Sequence, residues 1–273
     1  MKKSIYLGLY LSGLKKDKSN LIVLENFEGQ NRLVISKISA SFKGNASSLM
    51  PDELLLREIK SYEKPVAIGV NFPTYMPPAL IHKSESPGFR DCANLEIKTL
   101  LKEYKKRAKH SPKSKKLNPF PTPYIERGID FYIAYKLEEP FPFEPAFSTN
   151  RATLLARGIY LKRYLNRVPF IECSTKASLW RIGRAYKVRK SVLRNFYRDP
   201  TDTARTIFLD SLEKDFFLYE EDRQTFIKDK NAFEALICAL SAYFYKNKGA
   251  DKIPAGFLPK GRHFSLPSLD LFD

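Results

Sequence analysis

Apolar and polar positions divide the first part of the chain into short strands and one helix. Residues 4–12, 21–24 and 33–38 are largely apolar and are separated by polar turn sequences, which predicts a three-stranded meander. A polar start with a proline in the first turn predicts a helix over about 48–62. The next apolar run, 65–71, shows no alternation, which predicts a strand buried on both faces.

Helical patterns dominate the rest of the chain. We predict helices at about 90–109, 149–166, 175–197, 202–219 and 230–246, and strands at 129–136 and 168–173. Residues 75–147 contain Pro-rich and low-complexity stretches, and we interpret them as an elaborated insertion. The rest of 1–250 then forms a single domain, followed by a C-terminal tail at 251–273. This order predicts an α/β fold with a mixed sheet, an antiparallel meander plus parallel strands, flanked by helices.

Composition adds a strong positive charge. The chain has 47 Lys and Arg against 30 Asp and Glu, a formal net charge of +17, which favours an anionic partner such as nucleic acid. An anionic membrane surface or an acidic protein would also suit this charge. The 3 cysteines are far apart and lack zinc spacing, which favours a reducing, cytoplasmic setting. No apolar run is long enough to span a bilayer, so we expect no membrane partner.

Two predicted strands end in side chains that bear on catalysis. Tyr10 and Asn71 stand where buried strands run into turns. Parallel neighbours would bring these two side chains together at one edge of the sheet. A hydrolase that uses Mg²⁺ would need carboxylates at this edge, and neither residue is an acid.

Five short segments follow one another in an order that is typical of one family. They are Gly8-Leu9-Tyr10, Val70-Asn71-Phe72-Pro73, Arg90-Asp91-Cys92-Ala93, Phe170-Ile171-Glu172-Cys173-Ser174 and Phe233-Glu234-Ala235-Leu236-Ile237-Cys238-Ala239. Together they resemble a bacterial and archaeal domain-of-unknown-function family of predicted RNase H-like nucleases. The order of the elements is also that of an RNase H-like domain. No single motif is specific, and the likeness rests on order and spacing over residues 4 to about 246.

The resemblance implies a site in which acidic residues hold one or two Mg²⁺ or Mn²⁺ ions for phosphodiester cleavage. The positions carried over from the family as catalytic are Tyr10, Asn71, Glu172 and Glu234. Tyr10 and Asn71 replace two aspartates of the family, so only Glu172 and Glu234 remain as carboxylate metal ligands. Asp229 or Glu25 could substitute for the missing acids. Loss of nuclease activity is the favoured interpretation, with no cofactor if the activity is absent.

Glu234 has two interpretations that the sequence leaves open. It flanks the apolar stripe of the helix predicted at 230–246, on the same side as Cys238 and Ser241. A carboxylate at the rim of a packed face suits a functional site. It suits equally well a structural ion pair with a neighbouring lysine.

Two segments concentrate basic side chains and are candidates for nucleic-acid binding. The first contributes Lys105, Lys106, Arg107, Lys109, Lys113, Lys115 and Lys116. The second contributes Arg181, Arg184, Lys187, Arg189, Lys190 and Arg194, interleaved with aromatic residues. Such combinations suit a phosphate backbone and unstacked bases. The alternative is an amphipathic helix whose aromatic residues face the core and whose basic residues face water.

The C-terminal residues resemble the short peptide by which bacterial replication and repair proteins bind the DNA sliding clamp. Leu269, Leu271 and Phe272 would fill the apolar pockets of the clamp, although Ser268 stands where glutamine is usual. Alternatively, these apolar residues fold back on the core.

Three functional hypotheses follow. The favoured one is an RNase H-like protein with a degenerate metal site that binds nucleic acid with weak or no cleavage. The second is an active Mg²⁺-dependent nuclease with a rearranged carboxylate site. The third is an interaction protein that docks the clamp or an acidic partner through its tail and basic surface.

Overall fold

The computed structural model describes residues 3–13, 18–29, 32–40, 42, 50–83, 89, 91–110, 122–198 and 202–271, with the backbone alone at 108–110. The chain forms two compact units. Unit 1 comprises residues 1–72, 160–252 and 263–273. Unit 2 comprises residues 73–159 and 253–262, so it takes one segment from the sequence that we interpret as the tail.

Unit 1 contains the sheet. Its strands are β1 (Lys3–Tyr10), β2 (Asn20–Phe27), β3 (Leu33–Ala40), β4 (Ala67–Val70), β5 (Phe170–Cys173), β6 (Phe216–Phe217) and β7 (Phe264–Ser265). They form one 7-stranded sheet in the order β6-β3-β2-β1-β4-β5-β7. The pairs β1–β2 and β2–β3 are antiparallel, whereas β1–β4, β4–β5, β5–β7 and β3–β6 are parallel. The predicted α/β fold with a mixed, helix-flanked sheet is thus confirmed.

The helices occur between these strands. They are α1 (Pro51–Lys60), α2 (Leu95–His110), α3 (Gly128–Tyr135), α4 (Arg151–Tyr164), α5 (Thr175–Ala185), α6 (Lys190–Asn195), α7 (Thr203–Leu212), α8 (Glu220–Lys228) and α9 (Lys230–Lys246), with a short 3₁₀ helix at Pro78–Leu80. Helices α2 and α3 belong to unit 2, and α1 and α5 to α9 belong to unit 1.

Helix α9 lies very close to the sheet because two strand positions lack a side chain. A Cβ atom built on Gly8 of β1 would lie 2.7 Å from the Cβ of Ala239 and would overlap the carbonyl oxygen of Ala235. A Cβ built on Gly69 of β4 would overlap the carbonyl oxygen of Cys238. Glycine at these positions therefore permits the close contact between backbones. It also places the first turns of α9 beside the carboxyl ends of β1 and β4.

Several predicted elements are wrong. Residues 129–136, predicted as a strand, are mostly helix α3, because Asp130 accepts a hydrogen bond from the backbone N–H of Arg127 at 3.0 Å and caps the helix start. The helix predicted at 175–197 is divided into α5 and α6, since Lys187 adopts a left-handed conformation with φ of 63°. The helix predicted at 202–219 ends at Leu212 and is followed by β6. Strand β7 and helix α8 were not predicted.

Candidate functional site at the sheet edge and the lysine groove

Asn71 connects β4 to β1 just beyond the end of the parallel ladder. Its side-chain Oδ1 accepts a hydrogen bond from the N–H of Leu11 at 2.9 Å, and its Nδ2 donates to the carbonyl oxygen of Leu11 at 3.5 Å. The amide therefore pairs with the backbone as another peptide group would. Aspartate could accept the first hydrogen bond but, when ionised, could not donate the second. This position thus uses an amide for a structural contact.

Tyr10 lies on the face of the sheet that α9 covers. Burial, followed by the charges of Glu234, Cys238 and Asp229, raises the pKa of Tyr10 to about 12. The phenol consequently stays neutral at physiological pH. A neutral phenol brings no negative charge to a divalent cation.

Glu234 lies close enough to Tyr10 for its charge to help raise the pKa of the phenol. It lies in α9, and its side chain is only 12% exposed. Its Oε2 accepts a hydrogen bond from the hydroxyl of Thr175 at 3.0 Å, and its Oε1 lies 4.0 Å from the ammonium of Lys230. Glu234 therefore has a lysine neighbour, as the structural interpretation predicted. It also lies at the sheet edge, where the functional interpretation placed it.

Glu172 is buried on the other face of the sheet. The next residue, Cys173, points toward α9, because its Sγ lies 3.7 Å from the Sγ of Cys238. Neighbouring residues of a strand point to opposite faces, so Glu172 points away from α9. The structure therefore does not bring Glu172 and Glu234 together, contrary to the shared metal site that we inferred from the resemblance.

The two substitute acids, Asp229 and Glu25, both have structural partners. The Oδ1 of Asp229 accepts a hydrogen bond from the N–H of Asn231 at 2.8 Å and caps α9. Glu25 pairs with Lys3 at 3.0 Å and lies opposite Ile5 in the β1–β2 ladder. At about 3.4 Å per residue, Ile5 is roughly 17 Å along β1 from its end.

The donor atoms at the sheet edge do not fit a divalent metal site. In the described ranges, no three His, Cys, Asp or Glu side chains form a group that could hold a metal ion. Mg²⁺ requires several hard oxygen ligands with negative charge among them. The edge offers the carboxylate of Glu234 beside a lysine, the carboxylate of Asp229 that caps α9, a neutral phenol and an amide that is bonded to the backbone.

The second basic segment, from Arg181 to Arg194, uses two of its arginines in contacts within unit 1. Arg181 is only 8% exposed, forms an ion pair with Asp251 and donates to the carbonyl oxygen of Pro267 at 3.3 Å. Arg184 donates to the carbonyl oxygen of Val188 at 2.9 Å. Arg181 is therefore a structural residue, which corrects its assignment to nucleic-acid binding.

In the rest of this segment, Trp180 and Phe196 are buried, whereas most of the basic residues are exposed. The guanidinium of Arg194 lies 5.7 Å from the ring centre of Trp180, in the range of a cation–π contact. Trp180 and Phe196 are themselves buried, as the amphipathic alternative expected. The basic residues of the segment that are exposed are Lys187, Arg189, Lys190 and Arg194.

The first basic segment presents its charges differently. Lys105 and Lys106 are exposed on α2, and the guanidinium of Arg107 stacks 3.6 Å from the ring centre of Tyr135. The side chain of Lys109 and the whole of Lys113, Lys115 and Lys116 lie outside the described residues.

A surface groove of about 340 Å³ follows the exposed side of α2. It is lined by Lys98, Leu101, Lys102, Lys105 and Lys106, and we call it the lysine groove. Lys98 lies outside the basic segment that the sequence predicts as a binding site. Its signal was the spacing, because residues 98, 102 and 105 follow the i, i+4, i+7 pattern of one helix face.

The last part of the C-terminal tail, from residue 263 onward, is part of unit 1. The N–H of Ser268 donates to the carbonyl oxygen of Gly249 at 2.9 Å, and Ala250 forms an antiparallel bridge with Pro267. Leu271 packs so close to Gly249 that an added Cβ there would lie 2.9 Å from it. Residues 263–271 thus belong to unit 1, and Leu271 packs there as the second interpretation of the sequence expected. Leu269 is exposed, and Phe272 lies outside the described residues.

Unit 2 contains a buried polar network that the sequence analysis missed. Arg127 is fully buried, forms an ion pair with Asp130 at 2.7 Å and stacks 4.5 Å from the ring centre of Tyr75. Glu96 accepts a hydrogen bond from the N–H of Gly128 at 2.7 Å. Burial raises the pKa of Glu96 to about 7. The available signal was the charged run Glu126-Arg127-Gly128-Ile129-Asp130 next to an apolar stretch.

Comparison of the chain with family models, curated proteins and solved structures finds no match. Among the helices in the described part of the chain, none combines the length and apolar character needed to cross a membrane.

Proposed function

We propose that this protein binds nucleic acid through the lysine groove, on a fold that is RNase H-like, and does not cleave the bound strand at the sheet edge. The strand order β3-β2-β1-β4-β5, an antiparallel meander joined by parallel strands, supports the RNase H-like assignment. The observation that carries the binding function is the row of lysines along α2.

The lysine groove has charges that are free to meet phosphate. Among the described residues, Lys98, Lys102 and Lys105 have no carboxylate partner, while Lys106 pairs with Glu103 at 3.1 Å. With a rise of about 1.5 Å per residue, the row from Lys98 to Lys105 spans roughly 10 Å. One strand of B-DNA carries a phosphate about every 3.4 Å of helix axis, so the row matches about three phosphates.

The test compares two variants that remove the same number of charges. The groove variant combines Lys98→Gln, Lys102→Gln and Lys105→Gln, and the control variant combines Lys187→Gln, Arg189→Gln and Lys190→Gln on exposed positions of unit 1. Fluorescence anisotropy of a labelled single strand between about 50 and about 200 mM salt measures the salt slope of log K. Loss of three phosphate contacts should reduce the magnitude of this slope by about 2 in the groove variant.

The control variant should change the slope by much less. An equal effect of the two variants would assign binding to the net charge and would reject the groove. Binding by the native protein that does not depend on salt would reject a phosphate contact altogether.

The proposal of no cleavage rests on the donor atoms at the sheet edge. Tyr10 stays neutral, Asn71 is bonded to the backbone of Leu11, and Glu172 faces away from Glu234. Purified protein should leave labelled DNA and RNA intact with Mg²⁺ or Mn²⁺. Cleavage that disappears on Glu234→Gln would contradict this proposal and favour a rearranged nuclease site.

A further inference from the structure

The last turns of helix α4, which belong to unit 1, expose aromatic and basic side chains side by side. Tyr160, Arg163 and Tyr164 follow the i, i+3, i+4 pattern of one helix face, and all three are exposed. The two tyrosines are 39% and 51% exposed, whereas Leu161 and Leu165 supply the buried side of this segment. The tyrosine rings are therefore available to a partner, unlike the buried aromatic residues of the second basic segment.

The two tyrosine rings hold each other in place. Their centres are 5.1 Å apart, and the angle between the ring planes is 60°. A hydrogen bond with the hydroxyl of Tyr164, together with the charges of Asp52 and Glu53, raises the pKa of Tyr160. Because the rings are already positioned, a planar group that stacks on them immobilises little additional side-chain freedom.

Two cations flank Tyr164. The ammonium of Lys60, at the end of α1, lies 5.6 Å from the ring centre of Tyr164, in the range of a cation–π contact. Arg163 is the preceding residue in the chain, and in the described part of the chain it has no carboxylate partner. We call Lys60, Tyr160, Arg163 and Tyr164 the tyrosine face. Its Tyr164 end can meet an anion and a flat ring at the same time.

The Tyr160 end of the tyrosine face has a different charge. Asp52 and Glu53, whose charges act on Tyr160, lie in the first turn of α1. The carboxylate of Glu53 forms an ion pair with Arg57 at 3.1 Å, which offsets part of its charge. An anionic group of a partner therefore meets the face at Tyr164 rather than at Tyr160.

Unit 1 has a second exposed aromatic pair with the opposite electrostatic setting. Phe217 and Tyr219 are 41% and 59% exposed, and their ring centres are 4.9 Å apart. The first turn of the helix that follows, α8, contains Glu220, Glu221 and Asp222. Such a setting repels phosphate. Charge complementarity thus distinguishes the tyrosine face as the aromatic surface that suits a partner with phosphate groups.

We propose that the tyrosine face binds unpaired bases of a nucleic-acid strand by stacking. A base inside a duplex has no free face, whereas a base of a single strand can stack on an aromatic ring. Lys60 and Arg163 meet the phosphates beside the stacked bases. This inference rests on the proposed function, because it names single strands as the form of nucleic acid that is bound. It adds a contact on unit 1 to the lysine groove of unit 2.

The experiment compares two variants that each remove two exposed rings. The face variant combines Tyr160→Ala and Tyr164→Ala, and the control variant combines Phe217→Ala and Tyr219→Ala. Fluorescence anisotropy of a labelled strand of deoxythymidine measures the affinity of the full chain. The face variant should bind at least about tenfold more weakly than the native protein, whereas the control variant should bind as the native protein does. No loss in the face variant, or an equal loss in both variants, would overturn the proposal.

Salt dependence and access to the bases separate stacking from charge. The face variant removes no cation, so its slope of log K against log salt should equal that of the native protein. The variant should also bind a duplex of the same length as the native protein does, since paired bases cannot reach the rings. A smaller slope, or an equal loss of duplex binding, would contradict stacking.

Failure of this inference can be told from failure of the lysine groove. The combined Lys98→Gln, Lys102→Gln and Lys105→Gln variant should lower the salt slope, whereas the face variant should lower the affinity at a constant slope. A groove variant that behaves as expected beside a face variant with native affinity rejects the tyrosine face alone. The converse result rejects the groove alone.

A conservative variant tests the rings separately from their hydroxyls. Tyr160→Phe with Tyr164→Phe keeps both rings and removes the hydrogen bond between the phenols. It should bind the strand within about twofold of the native protein, because stacking uses the ring faces. A loss as large as that of the face variant would assign the contact to the hydroxyls and contradict the proposal.

Discussion

Helix α2 and the segment formed by α5 and α6 are both rich in basic residues, but they place their charges differently. Helix α2 buries two acids, Glu96 and Glu103, which are 4% and 7% exposed, and turns its lysines outward. Helix α5 instead buries a base, Arg181, which pairs with Asp251. Composition along the chain therefore does not tell which charges are available to a partner.

The difference follows from the chemistry of the two cations. The guanidinium of arginine is planar and can satisfy several acceptors at once, so it can be buried beside a carboxylate and a carbonyl oxygen. Arg181 and Arg127 are both used in this way. The ammonium of lysine is strongly hydrated and usually stays in water at the end of its stem.

The largest expected effect concerns the inner side of α2. Burial raises the pKa of Glu96 from 4.5 to about 7, so the folded state binds this proton more tightly than the unfolded state does. The associated stability is fully present below pH 4.5 and is lost as the pH rises through about 7. The shift corresponds to about 3 kcal/mol of unfolding free energy.

Glu96→Gln isolates this contribution, because the amide oxygen of glutamine can still accept from the N–H of Gly128. Urea unfolding of both proteins across this pH range gives the difference between their free energies. The native protein should lose about 3 kcal/mol relative to the variant as the pH rises. Parallel pH curves for the two proteins would show that the buried acid does not titrate in this range.

The next effect concerns the inner side of α5. Arg181→Met should lower the unfolding free energy by about 2 kcal/mol, since it removes hydrogen bonds of a charged group from a buried position. The value lies at the low end for such contacts, because Asp251 is 43% exposed and can return to water. Denaturant unfolding measures the loss, with Arg189→Met at an exposed position of the same segment as the control. Equal stability of the two variants would show that Arg181 contributes no more to stability than an exposed arginine. The contrast between α2 and α5 would then be wrong.

The smallest expected effect concerns the outer side of α2. Lys102→Gln should change the unfolding free energy by less than about 0.5 kcal/mol, because surface substitutions without a specific partner are nearly neutral. The same substitution should weaken binding of a labelled single strand at low salt. A large loss of stability with unchanged binding would mean that this lysine is structural.

Part of the fold could be predicted because the hydrophobic pattern is simple there. The long apolar runs of β1 and β4 end in turn residues, which indicated that Tyr10 and Asn71 lie at the sheet edge. Residues 129–136 alternate like a strand, but the hydrogen bond between Asp130 and the backbone of Arg127 starts a helix there. A local polar contact of this kind decides between two structures that the apolar pattern allows.

The orientation of Glu172 could not be predicted from its surroundings in the sequence. All four residues of β5 are buried, so the strand has no polar face to show which side chains point toward α9. The buried position of Arg181 could not be predicted either. Its acceptors, on Asp251 and Pro267, are about 70 and about 86 residues away in the chain. A resemblance transfers the order of residues, but it does not transfer the direction in which they point.

The contact of α9 with Gly8 and Gly69 has a consequence for recognising relatives of this protein. Any chain that keeps this helix at the same depth must carry glycine at both strand positions and small residues at the facing helix positions, such as Ala235 and Ala239. Geometry enforces this combination, whereas the residues of a binding site can change with the ligand. We therefore expect relatives to keep two strand glycines about 60 residues apart, followed much later by two small residues four positions apart on a helix. This pattern should remain recognisable in relatives whose overall sequence identity to this chain is low.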